Sequence, residues 1–481
     1  MDCYFLSDGT CSLLTKGCTL IKTLLYHELE KMVKSTTIYI LVAISVILFA
    51  LNGFSFTKIY NTRQNINESI LAECDGKLKT SMSVSVAKPP ALTAFIADGG
   101  EKTRAPAYGF FLYGNVVPYP VDTNSILSFI PVFDWIFIIK IIFSIYVFLL
   151  IFNAISGERE SGTLRQVLAN PVNRSKVLFV KYLSGCIGFI IPLVIGMTIS
   201  IIIVAVSIPE ALTGKIFFSV ALFFSITFLF LSALVLIGLF VSSIVRRSSI
   251  VLILLFSFWV GMLITPNLSQ LLANSVVNVM RDYEVARENE LISEEYSVNV
   301  IFRRIKNNEF GTIEEVQEAG DKILADRTRL RDKLRNDRKN SLQRRLILTR
   351  KLALISPMTV MQYASEVIAG TGYEYHNWYI RKIEQQLPVF RQYSFNKTSY
   401  KPEDFIAHGS NIVSFNGEMI TIGKWPPQIK NDFNDSPIIE TPTYSIIAGS
   451  AMLLRYVIIL LLWNLILAMG SFLAFNRADV R

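Results

Sequence analysis

The stretch GERESGTLRQVLANPVNRSKV, residues 157–177, is a charged segment between two of the most apolar parts of the chain. Its first half predicts a helix over 158–169, because Glu158 and Glu160 would lie at the positive end of the helix dipole. The pair Asn170-Pro171 predicts the end of that helix, since proline cannot continue it. A second helix is expected to start beyond it and to run into the next apolar stretch. The segment therefore predicts a short polar helix held between two long hydrophobic ones.

The composition of the whole chain indicates what the hydrophobic stretches are. Of the 481 residues, 52% are hydrophobic and only 18% are charged, and the mean hydropathy of +0.43 excludes an ordinary soluble enzyme. A helix needs about 20 apolar residues to cross about 30 Å of hydrocarbon. Six stretches are long enough to be membrane spans, and they are predicted at 36–56, 134–155, 182–207, 216–244, 249–266 and 451–475.

The positions of Lys and Arg predict the orientation of these spans, because positive residues in short loops favour the cytoplasmic side. They occur before the first span, between the second and third, between the fourth and fifth, and after the sixth. All four places then lie on one side, so both termini are predicted to be cytoplasmic. The net charge of +9 partly reflects this bias, and we expect no nucleic-acid partner.

Two long polar segments are then predicted to lie outside the cytoplasm. The first, 57–133, contains Pro and Gly clusters and predicts loop or short strands. In the second, periodic charged sequence predicts a helical hairpin with arms at 268–308 and 312–352. An apolar helix at 352–372 and a further helix at 373–392 are expected to follow it.

These observations predict a mainly α, polytopic membrane protein with six transmembrane helices and a large, mostly helical extracytoplasmic domain. An amphipathic pattern over 19–34 adds an N-terminal interfacial helix. The helix at 158–169 would be either a cytoplasmic coupling helix, which receives force from a partner, or an interfacial helix that only connects two spans. The predicted divisions are 1–35 with the interfacial helix, span one at 36–56, the first outer segment 57–133, spans two to five at 134–266, the second outer domain 267–448, and span six with the tail at 449–481.

No motif in the chain predicts catalysis. The Gly-Lys pairs lack the flanking glycine spacing and the Ser or Thr of a phosphate-binding loop, and no Gly-x-Ser-x-Gly sequence occurs. The three histidines are too dispersed for a metal site. We therefore expect no metal, cofactor or enzymatic activity in this chain, and a membrane-anchored enzyme or sensor is the weakest of the functional alternatives.

Three polar residues within the spans are candidates for function, because polar groups in lipid cost several kcal/mol unless they face protein or water. They are Lys140 and Asn153 in the second span and Asn464 in the sixth. One interpretation is that Lys140 extends toward the outer interface and that Asn464 bonds a neighbouring helix. The other is that these residues line a translocation path or a subunit seam.

The stretch SGERESGTLRQVLANPVNRSKVLFVKYLSG, 156–185, resembles the cytoplasmic signature region of ABC-transporter permeases of the type-2 exporter superfamily. The resemblance rests on an acidic pair before Gly-Thr-Leu, followed by Pro-Val, an Arg and a Lys, here Lys181. The six spans, the helix before the first of them and the terminal FLAFNRADVR are similar to the same family. ISPMTVMQYASEVIAGTG further resembles the subgroup with a large outer insertion between the fifth and sixth spans.

The resemblance implies a permease subunit of an ATP-driven exporter in the inner membrane of a bacterium. Its partners would be two separate ATPase subunits that hold ATP and Mg, a second permease in a homodimer or heterodimer, membrane lipid, and an extracytoplasmic protein. The alternative is a mechanotransmission module, in which the same motion acts on an envelope partner without transport. The residues implied in coupling to the ATPase are Glu158, Arg159, Glu160, Gly162, Thr163, Leu164, Arg165, Pro171 and Arg174.

Overall fold

The protein, seen in a computed structural model, is a bundle of long apolar helices with a mixed domain at one end. The structure describes residues 22–73, 75–80, 83–101, 104–111, 116–118, 133–169, 173–211, 213–398, 411–422, 435–442 and 449–477. The interfacial helix predicted at 19–34 is described from residue 22 and is helical over 22–33 (α1). Pro171 and the rest of the 170–172 stop lie outside the described residues.

Within the part of the chain that the structure describes, six helices are long and apolar enough to cross a membrane, so the mainly α fold and the six spans are confirmed. Their apolar side chains face both the bundle and its periphery, as in a protein that is solvated by lipid. The spans are α2 (Thr36–Glu73), a segmented second span from Trp135, α7 (Arg174–Ser207), α8 (Gly214–Ile244), α9 (Ser248–Val276) and α16 (Ser450–Arg477).

The second span consists of α3 (Trp135–Ile138), a π-helical turn (Ile139–Phe143) and α4 (Ser144–Ile151). A π turn alters the regular backbone pairing of the helix, and here side chains hydrogen-bond to it. Ser144 Oγ donates to Lys140 O, and the indole Nε1 of Trp259 donates to Ser144 Oγ at 2.8 Å and to Lys140 O at 3.3 Å. The fifth span thus supports the distortion in the second.

The helix predicted over 158–169 is wrong in one respect, because it is not continuous. The chain forms α5 (Ser156–Glu160) and α6 (Thr163–Ala169), and Gly162 between them has a φ of +76°. This left-handed conformation suits glycine and ends the helical hydrogen bonding. We call α5, Gly162 and α6 together the bracket, and the end of the spans where it lies the bracket end.

The first outer segment also differs from its prediction. Residues 57–73, expected to be loop or strand, continue the helix α2 to Glu73. The chain then forms an antiparallel sheet of β1 (Asp75–Thr80), β2 (Ser83–Ala87), β3 (Ala107–Phe111) and β4 (Val116–Pro118) in that order. Val84, Val86 and Phe110 pack against aromatic residues of the second outer segment, including Tyr379. The two outer segments therefore share one core, and we call this end of the spans the domain end.

The second outer segment forms a hairpin whose first arm is interrupted. The expected helix over 268–308 is instead the end of α9, then α10 (Asp282–Glu295) and α11 (Val298–Lys306), whereas α12 (Ile313–Ala353) covers the second arm. Ile301 of α11 and Val316 of α12 pack on a two-stranded hairpin, β5 (Asn411–Phe415) and β6 (Glu418–Ile422). Asn416 and Gly417 join these strands with φ values of +51° and +88°, as an Asn-Gly hairpin turn requires.

Three further helices follow α12 in the chain. The apolar helix predicted over 352–372 is α13 (Pro357–Ala369), and it is buried on all sides against α8, α9 and α16. The single helix expected over 373–392 is two helices, α14 (Gly372–Glu384) and α15 (Leu387–Thr398). Pro388 lies in the first turn of α15, where its missing N–H has no cost, and so it begins that helix and does not end α14.

We predict that Gly417→Ala loosens the β5–β6 hairpin, because a side chain at positive φ costs about 1 kcal/mol. Amide hydrogen exchange of the intact chain should show about fivefold faster exchange at Val413 and Ile420. Gly311→Ala is the matched control, since a Cβ there would make an ordinary contact of 3.6 Å to Glu315 Oε2. If amide exchange at these residues is unchanged in the Gly417 variant, the conformation of the turn does not limit local opening of the hairpin.

Candidate functional site

The bracket is fixed to the first helix and the third span through one lysine. Lys181 Nζ on α7 donates to Glu158 Oε1 on α5 at 2.6 Å and to Glu28 Oε1 on α1 at 2.9 Å. The lysine side chain is only 4% exposed, and the two carboxylates are 15% and 23% exposed. A charge with so little access to water is stable only if it is paired. The lysine therefore holds the interfacial helix, the bracket and the third span in one arrangement.

The second acidic residue of the bracket caps the fifth span. Glu160 Oε1 accepts from the backbone N of Ser248 at 3.1 Å, and Oε2 accepts from Ser248 Oγ at 2.8 Å. Ser248 is the first residue of α9, so the carboxylate occupies the positive end of that helix, where a negative charge is stabilised. A displacement of α5 therefore acts directly on the start of the fifth span.

Hydrogen bonds through Ser242 and Ser243 connect the bracket to the end of the fourth span. Ser242 Oγ accepts from the backbone N of Ile155 at 3.2 Å and from that of Ser156 at 3.0 Å. Arg159 Nη2 donates to Ser243 O at 3.0 Å. These bonds satisfy backbone groups at the irregular junction between α4 and α5, which would otherwise be buried without partners. The bracket thus contacts the ends of the third, fourth and fifth spans.

The second half of the bracket has a buried face and an exposed face. Leu164 is 1% exposed and belongs to the core of the bundle, and Val167 packs against that core. Thr163 and Arg165 are exposed, and Thr163 Oγ1 bonds back to Glu158 O at 3.3 Å. The apolar side of α6 therefore fixes its position, and its polar side is accessible to another protein.

The remaining residue of the predicted coupling set connects two helix ends. Arg174 Nη1 at the start of α7 donates to Asn476 O near the end of α16 at 3.0 Å. Positive charge at a helix C-terminus is favourable because the last carbonyls have no intrahelical donors. The sixth span is thereby attached to the same group of contacts, so all the described residues of the coupling set lie together at the bracket end.

The three polar span residues are not brought together. Lys140 lies near the domain end and Asn153 near the bracket end of the same span, 13 residues or about 20 Å of helix apart. Asn464 is half buried in the sixth span, where its Nδ2 donates to Leu229 O at 2.9 Å and its Oδ1 accepts from Ser232 Oγ at 2.7 Å. Asn464 thus bonds the neighbouring fourth span within the chain.

A second polar cluster lies at the domain end and was not predicted. Lys140 Nζ donates to Gln362 Oε1 at 2.7 Å, and Gln362 Nε2 donates to Glu366 Oε1 at 3.0 Å. Arg350 of α12 lies 3.9 Å from Glu366 Oε2 and 3.5 Å from Glu374 Oε1. Burial raises the pKa of the Glu366 carboxyl, and the Arg350 charge opposes that rise. This chain of contacts joins the second span to α13 and α12.

Some of these residues could have been found from sequence and others could not. Lys181 was evident as a cation at the edge of an apolar run, but its partner Glu28 is 153 residues earlier, and nothing local connects the two. Ser242 and Ser248 have no distinguishing sequence signal. Gln362 and Glu366 are four residues apart in an apolar helix, and buried polar groups at that spacing are a signal for a partner on a neighbouring element.

The fold and the site together define a polytopic α-helical membrane protein with a polar bracket between its second and third spans. The family model described as ABC-2 family transporter protein matches residues 23–480. The chain belongs to this family, and it is therefore a permease subunit of an ABC transporter, a class that associates with ABC ATPase partners. Comparison with curated proteins gives no significant match.

We predict that Lys181→Met destabilises the protein by about 3 kcal/mol, because it leaves two partly buried carboxylates without their cation. Reversible unfolding of the purified full-length chain in detergent would measure this loss. Lys176→Met on the same helix is the control, and its change should stay within about 0.5 kcal/mol. Equal effects of the two substitutions would show that the bonds to Glu28 and Glu158 contribute nothing specific.

Proposed function

We propose that the chain is the permease of an ATP-driven exporter and that a separate ATPase docks on the exposed face of α6. The observation that carries the proposal is the set of bonds from the bracket to the third, fourth and fifth spans through Lys181, Ser242 and Ser248. A force applied to α6 reaches α5 and then three spans at once. ATP and Mg would be held by the partner, and this chain would supply the docking surface and the moving helices.

The proposed arrangement in the membrane follows from the same assignment. If ATPase subunits bind the bracket, the bracket end is cytoplasmic, in agreement with the concentration of Lys and Arg there. The domain end then faces the outside of a bacterial inner membrane. Two ATPases and two permeases, identical or sister chains, would complete the transporter. The coupling residues are proposed in two roles, with Thr163 and Arg165 contacting the ATPase and the paired acids Glu158 and Glu160 transmitting its motion.

Substitution on the exposed face of α6 tests the docking proposal. Arg165→Glu reverses a charge at the proposed interface. The substitution should weaken binding of the purified ATPase by at least about tenfold, because the new carboxylate would meet the acidic groups of the ATPase that Arg165 contacts in this proposal, and such like-charge repulsion costs about 1.4 kcal/mol or more. Binding is measured with the full-length permease in detergent or nanodiscs. The control is Arg303→Glu, which reverses an exposed charge on α11 at the domain end. Undiminished binding to the Arg165 variant would contradict docking on α6.

A specific observation supports mechanotransmission as a second candidate function. The Arg350 guanidinium lies 3.9 Å from the ring centroid of Tyr363 on α13 and is in ionic contact with Glu366 and Glu374. Because α12 is 41 residues long, about 60 Å of helix, a small rotation at this junction would be amplified at its far end. Motion of the spans could then act on an envelope partner.

Spin-label distances test this second function in the assembled transporter. Labels at Lys322, an exposed position toward the far end of α12, and at Val206 on α7 should change their separation when ATP binds to the partner. Arg350→Gln should reduce that change by half or more while ATP hydrolysis continues, because the charge that fixes α12 to α13 and α14 is lost. Arg344→Gln, an exposed position on the same helix, should retain it. An unchanged distance in the unsubstituted complex would argue against mechanotransmission.

A further inference from the structure

A cavity of about 420 Å³ lies at the domain end between the second span, the fifth span and α13. This volume is within the range of small-molecule sites, about 300–1,000 Å³. Lys140 in this cavity is 18 residues before Glu158, at the opposite end of the second span, so the cavity is separate from the proposed docking surface. Its polar lining residues are Asp98, Asp134, Lys140, Gln362 and Glu366.

Lys140 presents hydrogen-bond donors to this cavity. An ammonium has three N–H donors, and Gln362 Oε1 accepts one of them at 2.7 Å. Among the residues that the structure describes, no acceptor is recorded for the other two. Lys140 also lies in the π turn of the second span, and such turns occur frequently at functional sites. The lysine is therefore placed to bind an anionic group.

The opposite charge is also present in the lining. Asp134 Oδ1 accepts from the backbone N of Phe137 at 2.8 Å, and Oδ2 accepts from that of Asp98 at 3.0 Å. A carboxylate oxygen can accept two hydrogen bonds, so both oxygens retain acceptor capacity after these contacts. Asp98 and Glu366 add further carboxylates to the lining. A primary ammonium is the complementary group for this part of the cavity.

The remaining wall is apolar and belongs to the membrane-spanning helices. Phe137 and Ile141 come from the second span and Leu263 from the fifth. Phe137 is 41% exposed, so this side of the cavity opens at the periphery of the bundle, where the spans meet lipid. An acyl chain could lie along it while a headgroup occupies the polar part.

We propose that this cavity binds a phospholipid with a phosphoethanolamine headgroup. The phosphate contacts the Lys140 ammonium, and the primary ammonium contacts Asp134 and its acidic neighbours. A choline headgroup has no N–H donors for the carboxylates, and a glycerol headgroup has no positive charge. The site therefore distinguishes lipids by the donor capacity and charge of the headgroup.

Lipid binding to the full-length chain without ATPase tests the proposal, so its result is independent of the proposed transport function. The chain is reconstituted in nanodiscs with equal amounts of phosphatidylethanolamine, phosphatidylcholine and phosphatidylglycerol. Native mass spectrometry then measures which lipid is retained. We expect about tenfold enrichment of phosphatidylethanolamine over each of the others, the equivalent of one charge-assisted hydrogen bond.

Two variants separate binding from a merely structural role. Lys140→Met should lower retention of all three lipids, because each has a phosphate. Asp134→Asn should lower retention of phosphatidylethanolamine selectively and shift the ratio toward phosphatidylglycerol. Lys215→Met, an exposed lysine at the same end of the fourth span, should change neither. Equal retention of the three lipids by the unsubstituted chain, or the same pattern in the Asp134 and Lys215 variants, would overturn the proposal.

Discussion

The buried ammonium of Lys181 is the interaction on which the arrangement at the bracket end depends. It is shared by Glu28 and Glu158 at 2.9 and 2.6 Å, and none of the three charges could remain there without the others. Because the carboxylates come from α1 and α5 and the lysine from α7, the pairing fixes three elements that are far apart in sequence. The capping of α9 by Glu160 and the contacts of Ser242 then follow from where α5 is held.

The second span connects the two ends of the molecule. Its bracket end continues into α5, and near its domain end Lys140 bonds Gln362 of the buried helix α13. The polar contacts do not stop there, because Glu366 one turn later faces Arg350 of α12. A movement of this span away from α13 would break these contacts. Each buried polar group left without a partner would cost about 1–3 kcal/mol. Moving α13 together with the span preserves these bonds.

Sequence reasoning succeeded where the signal is local and repeated. The six spans were predictable because a helix in lipid must be apolar along its whole length, and α13 because an apolar run began at Ser356-Pro357. The hairpin of β5 and β6 has a usable signal in Asn416-Gly417, although the sequence of this region predicts only loop with a strand or two, without bounds. The sheet of β1 to β4 could not be predicted in the same way, because the aromatic residues that cover it, including Tyr379, come from the other outer segment.

The candidate site was predictable in composition and not in geometry. The pattern around Glu158 and Leu164 identified the bracket, but α5 and α6 looked continuous because Gly162 alone is only a weak helix breaker. Because Gly162 has a φ of +76°, the bracket is two short helices joined at this residue and not one rigid helix. The fixed part is α5, where Lys181, Ser242 and Ser248 hold the charged and backbone groups. The more exposed part is α6, which is joined through Gly162; apart from the chain neighbours of this glycine, no atom of the described residues lies within 4 Å of the position that a Cβ would take.

Gly162, the most flexible residue of the bracket, therefore lies between the anchored helix α5 and the exposed helix α6. Glycine tolerates changes of φ and ψ that other residues resist, so Gly162 is the point of the bracket where the angle between α5 and α6 changes at the lowest cost. Larger displacements are transmitted, because Leu164 is buried and Thr163 bonds back to Glu158 O. Under the docking proposed above, a displacement of α6 would therefore reach Lys181 and the spans that it joins through α5.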